Sequence, residues 1–132
     1  MSIPTYIPAL GRLLLALIFV MSGLSKIAMP ADTIAYIQSA GAPFAPAAFA
    51  VAVVVEVIGG LALLVGFQTR LAAAVLAIFT LAAAILFHSN MADQNQMIHF
   101  LKNIAITGGL LQVIAFGSGS WSLDARRALV VR

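Results

Sequence analysis

Four long apolar stretches separated by short polar segments set the pattern of this chain. They run from about Tyr6 to Ala28, from Ala47 to Phe67, from Leu71 to His88 and from about Met97 to Gly117. Each is continuous and lacks the period-2 alternation of a transmembrane strand, so helices are expected. A helix needs about 17 to 25 apolar residues to cross a bilayer, and the third stretch sits near that lower limit. Gln68, Thr69 and Arg70 alone link the second and third stretches, which forces an antiparallel hairpin. The predicted fold is therefore an all-α membrane protein, a single domain over residues 1–132 built as a four-transmembrane-helix up-and-down bundle. In the first span Arg12 and Lys26 lie near the ends, where their long stems are expected to snorkel to the headgroups.

The longest connection, Met29 to Pro46, carries Pro30, Pro43 and Pro46. Asp32 near a helix start, Ile34 and Ile37 at helical spacing and Gly41 as the C′ residue predict a short interfacial helix in this first outer loop, placed to act as a lid. After the fourth span, Ser118 to Asp124 reads as a turn at headgroup level, with Trp121 favoured there. A basic tail follows and is expected to contact anionic lipid.

Composition agrees with the pattern. Of 132 residues 63% are hydrophobic and 8% charged, against about 25% charged in soluble domains. The lipid bilayer is the expected partner, and the formal charge of +3 does not indicate nucleic acid, because the seven Lys and Arg are scattered. Arg12, Arg70, Arg126, Arg127 and Arg132 flank the spans on one side, whereas Lys26 and Lys102 fall on the other. By the positive-inside rule both termini are cytoplasmic. A cleaved signal peptide is disfavoured, since no positive segment precedes Arg12 and Lys26 stands where the cleavage site would fall. The chain has no cysteine. Disulfide and thiolate chemistry within this polypeptide are thereby excluded, and any electron transfer needs a bound cofactor or another subunit.

Glu56 is the one acid inside a span, and a carboxyl at that depth costs about 2.5 to 3.5 kcal/mol on insertion scales. It should face a partner or a wet cavity. Lys26 ends the first span, His88 ends the third, and His99 and Lys102 begin the fourth, so all four lie toward the outer face with Glu56 deeper. Counting helical rise leaves about one turn between Lys102 and Glu56. These residues predict an outward-opening cavity floored by Glu56 and rimmed by Lys102, His99, Asn103, His88 and Lys26. The competing reading is a buried ion pair of Glu56 with Lys102 or Lys26 that locks the bundle. No His-x-x-His or Glu-x-x-His spacing favours a metal, and Asp93 in the outer loop reads as solvated. Gly23, Gly59, Gly60, Gly108 and Gly109 read as helix-packing positions. Small residues on more than one helix face make a homo-oligomer plausible as well.

Several motifs together resemble the DoxX family over nearly the whole chain. They are the run from Arg12 to Phe19 with Ser22-Gly23-Leu24-Ser25-Lys26, then Glu56 with Gly59-Gly60 and Gly66-Phe67-Gln68-Thr69-Arg70. His88, Lys102-Asn103, Gly108-Gly109-Leu110-Leu111 and the segment from Gly117 to Asp124 complete the set. The resemblance implies a small four-helix bacterial inner-membrane protein. It also implies a quinone or similar amphipathic ligand and a redox partner subunit, since the family name comes from a subunit associated with thiosulfate:quinone oxidoreductase. A proton-coupled small-molecule transporter and a non-catalytic membrane scaffold are the alternative functions open to the same residues.

Overall fold

The computed structural model of the chain describes residues 4–131; Arg132, assigned above to the cytoplasmic side, lies outside the described residues. The helices follow in the order α1 (Ile7–Ala28), α2 (Pro30–Ser39), α3 (Ala45–Val65), α4 (Thr69–Phe87), α5 (Gln94–Phe116) and α6 (Leu123–Val130). Helices α1, α3, α4 and α5 are long and apolar enough to cross a membrane. Their bounds fall within three residues of the predicted spans. The chain is an all-α membrane bundle.

Each spanning helix packs on its sequence neighbour, and α5 returns to α1 and closes the ring. This leaves α3 and α5 diagonally opposed. The face that carries both ends of the bundle, with residues near Ile7 and Phe116, is called the terminal face below, and the other the far face. Apolar bulk points outward: Leu14, Leu17, Ile58, Ile78 and Ile85 are exposed, as lipid-facing residues should be. The interior is built from smaller groups around Ala16, Phe19, Leu63, Ala73, Leu76, Ala77 and Leu110. Lipid tails are as apolar as a leucine, so close van der Waals contact rather than burial holds such helices together.

Four of the five predicted packing glycines make that contact. A Cβ built on Gly23 would stand 2.6 Å from Val57 Cγ2, and one on Gly60 would stand 2.9 Å from Val20 Cγ2. Gly59 lies against Leu76 and Gly109 against Leu15. Gly108 is the correction: it is exposed, with open space where its Cβ would be. One residue from Gly109, it is turned by the helical repeat away from α1 and onto the outer surface.

The chain reverses by sharply defined turns. Gly41, at φ +78°, ends α2 with its N–H on Gln38 and that of Ala42 on Ile37, a Schellman closure at the predicted C′ residue. Gly66, at φ +70°, ends α3 in the same way, with Phe67 N–H on Ala62. Asp93 caps α5 by accepting from Gln96 N–H at 3.0 Å and is otherwise exposed, as expected of a solvated residue.

One feature of α3 has no signature in the apolar pattern. Val55–Gly59 form a π turn in mid-helix, with Glu56 inside it. Such turns arise as single insertions in α-helices and gather at functional sites. Here the turn carries Glu56 into the bundle, where it is buried together with Gly60 and Leu63.

Candidate functional site

Glu56 is 5% exposed. Lys26 Nζ stands 2.8 Å from its Oε2 and donates a hydrogen bond to Oε1 at 3.1 Å. Ser22 Oγ donates to Oε1 at 3.1 Å and accepts from Lys26 Nζ at 2.8 Å. The site thus joins two positions one turn apart on α1 to one acid on α3. Gly23 makes this possible, because without a Cβ it lets α1 touch α3 at the level of Glu56 and Val57.

Helix direction decides which lysine pairs with the acid. Side chains lean toward the N-terminus of their own helix. On α1, which runs from the terminal to the far face, that lean carries Lys26 inward, down onto Ser22 and Glu56. Helix α5 runs the opposite way, so Lys102 leans outward, where Nζ lies 3.1 Å from His99 Nδ1. Glu56, on an α3 that also runs from the far face, leans toward Lys26. Of the two partners weighed for Glu56, the structure brings Lys26 into the ion pair and leaves Lys102 exposed.

Above the pair lies a cavity of about 400 Å³. Apolar groups make most of its wall, including Phe19, Ile37, Ala52, Phe79 and Ile106, and its polar residues include Ser22, Lys26, Glu56, Thr80, His88, Lys102 and Asn103. Helix α2 contributes Thr33, Tyr36 and Ile37, and Tyr36 stacks on Phe87 with ring centroids 5.6 Å apart. Helix α2 thus forms part of the cavity wall. Of the six predicted site residues, Glu56, Lys26, His88, Lys102 and Asn103 line this one space.

His99 does not line it. Its ring stacks on His88 at 5.0 Å and sits behind it. His88 Nδ1 is 3.3 Å from Gln96 Oε1, an acceptor, so in the neutral ring Nδ1 carries the hydrogen and Nε2 is left as an acceptor. Burial lowers the His88 pKa, against the hydrogen bond to Gln96 that raises it, and the neighbouring His99 and Lys102 lower it further. Neutral imidazole is the favoured form there.

A second polar cluster, at the terminal face, corrects the expectation for Arg12. Rather than snorkelling, Arg12 is 2% exposed and donates to the carbonyls of Leu63 at 3.0 Å, Leu64 at 3.1 Å and Trp121. The last carbonyls of a helix have no partner within it, and α3 ends at this level. An arginine more than a turn inside a span is informative in the same way as Glu56, and this signal could have found it. The turn from Ser118 to Asp124 folds over Arg12 and holds its own place. Asp124 accepts from Gln68 N–H at 2.9 Å, Thr69 N–H at 2.8 Å and Thr69 Oγ1 at 2.6 Å, and so caps α4. Burial would raise the Asp124 pKa, but the bonds from Thr69 and Gln68, with the nearby Arg127, outweigh it and hold the carboxyl below its usual range. Trp121 is exposed, and Arg127 lies over the Phe67 ring at 5.3 Å.

The family model described as DoxX matches residues 7–89. The chain is 39% identical over 114 residues to inner membrane protein YqjF of Escherichia coli (strain K12), covering 86% of each chain. It is 34% identical over 122 residues to inner membrane protein YphA of the same organism, covering 89% of this chain and 87% of the relative. No solved structure matches the chain.

Proposed function

The chain belongs to the DoxX family and is an integral, multi-pass inner-membrane protein, and from that premise we propose that it binds a small amphipathic molecule of the quinone type in the cavity above Glu56. One observation carries the proposal: a buried carboxyl, set on a π turn, lies against about 400 Å³ of mostly apolar space. An ion pair that only locked the bundle would be best served by close packing around it, because open space beside buried charge forfeits contacts and adds none. Ligand sites have the opposite character, concave and apolar with a few convergent polar groups.

In this reading the ring and its short substituents rest among Phe19, Phe79, Ile37 and Ile106, and the polar edge meets Glu56 and Lys26. Lys26 balances the acid and orients it. A carboxyl, an ammonium and a hydroxyl in mutual contact also form a short path along which a proton can move to or from a ligand oxygen. The far face is then the outer one and the arginine-bearing terminal face is cytoplasmic. Participation in a quinone-linked oxidoreductase, with a partner subunit exchanging the electrons, is the family-level form of the same proposal.

The test is to extract lipid-soluble compounds from protein purified in mild detergent. Wild type should retain close to one quinone-type molecule per chain, and a variant filling the cavity, Ala83→Trp, should retain none. Equal recovery from both variants would remove the proposal.

A further inference from the structure

We infer, resting on the function proposed for the cavity, that its ligand carries a long apolar chain and that this chain leaves the bundle sideways, into the hydrocarbon, through a slot between the far-face half of α3 and α4.

The slot follows from how α3 meets its neighbours. Between Val55 and Val65 it packs on both α1 and α4, with Gly59 against Leu76. Between Ala45 and Val54 it packs on α1 and α2 and scarcely approaches α4. The π turn lies where the two regimes meet. Along the gap the cavity wall includes Ala48 and Val51 on α3 and Phe79, Ala82, Ala83 and Leu86 on α4. Val51 is 59% exposed and Leu86 56%, and Ala82 is exposed as well. A side chain that lines a cavity and also stands open to the exterior marks a place where the two are continuous. Both helices are long and apolar enough to span the membrane, so the exterior at this level is hydrocarbon.

The chemistry of the two sides gives the slot to a chain. Small side chains on neighbouring helices ordinarily let them touch, yet Ala48, Ala82 and Ala83 border open space. At the far face the gap is bridged by α2, which packs on α3 and reaches α4 through the stack of Tyr36 on Phe87. The opening is thereby turned toward lipid rather than toward water. On the opposite side of the cavity α1 and α5 supply Ser22, Lys26, Lys102 and Asn103, which suit the polar edge of a ring. A cavity of about 400 Å³ holds a drug-sized molecule at most, so a long chain has to leave it. Passing from lipid into an apolar slot exchanges one apolar surrounding for another and costs the chain almost nothing.

The experiment uses two radiolabelled probes, tetramethylbenzoquinone and the analogue in which one methyl group is replaced by a hexadecyl chain, with the full chain in phosphatidylcholine nanodiscs. Label retained above that of empty nanodiscs is measured against the mole fraction of probe in the lipid, so that the stronger partitioning of the long probe cancels. Wild type should bind the two within about threefold of each other. Val51→Trp and Ala82→Trp, which fill the slot from its two sides, should weaken the long probe by about tenfold or more through overpacking and leave the short one within about threefold. Ile58→Trp, at an exposed position of α3 outside the cavity wall, should change neither. A long probe bound by wild type more weakly than that threefold margin would overturn the inference and leave the cavity reading standing, as would slot variants that weaken both probes alike or neither. Binding of neither probe by wild type above empty nanodiscs would overturn both. Should one slot variant not fold, the other decides; should both fail, the wild-type pair decides, because a cavity closed to lipid excludes the long probe.

Discussion

The two ends of this bundle each bury a charge, and they do so differently. At the terminal face Arg12 reaches three backbone carbonyls at the end of α3 and in the closing turn, and Asp124 performs the mirror task for the N–H groups that open α4. At the far face Glu56 meets side chains only and lines a cavity. Arg12 does not line that cavity. Charge directed at backbone ends holds a fold together. Charge directed at a cavity suits the ligand site proposed above.

That contrast can be broken most severely at Arg12. Arg12→Leu should lower unfolding stability by about 4 kcal/mol, because buried carbonyls lose charged donors, and thermal unfolding in detergent would show it. Glu56→Leu alone should cost about 3 kcal/mol, since Lys26 is left unpaired. The double replacement Lys26→Met with Glu56→Leu should return to within about 1 kcal/mol of wild type, because apolar residues of similar volume often match a buried pair. No second change on that side should rescue Arg12→Leu so simply. If the double variant stays as unstable as the single one, the two ends are alike and the contrast fails.

Smaller effects sharpen the picture. Asp124→Asn should cost about 1 kcal/mol as a lost helix cap. The folded pKa of Asp124 lies below its usual value, so its contribution is full above the ordinary carboxylate range and disappears as pH falls through the lowered pKa. Stability measured against pH should show that loss in wild type and not in Asp124→Asn. For His88, whose pKa is also lowered, the unfolded chain takes up its proton first. Stability should decline as pH drops from the ordinary 6.5 toward the lowered value and then level off, and His88→Gln should remove that slope.

Much of the fold was legible because a span must be apolar along its whole length and lipid permits no other regular structure than a closed barrel. Asp32, Ile37 and Gly41 likewise marked α2 correctly, since capping and turn chemistry are local. What sequence could not supply was direction and depth. Lys26 and Lys102 both sit near the far face, and the opposite courses of α1 and α5 send one to Glu56 and the other outward. The π turn was unreadable because five residues are too few to shift an apolar periodicity. Several motifs that carried the family resemblance, Arg12, Gly66, Thr69 and Asp124, converge on the terminal-face clamp, so resemblance there speaks of folding more than of ligand.

The most direct test compares wild type with the Lys26→Met, Glu56→Leu double variant, once equal unfolding stability has been shown, for binding of 4-pentylphenol by saturation-transfer NMR. With the fold held constant, wild type should bind the phenol in the cavity and the double variant should give only the micelle background. Equal binding by both proteins would contradict the claim that the Glu56 end of the bundle is a ligand site.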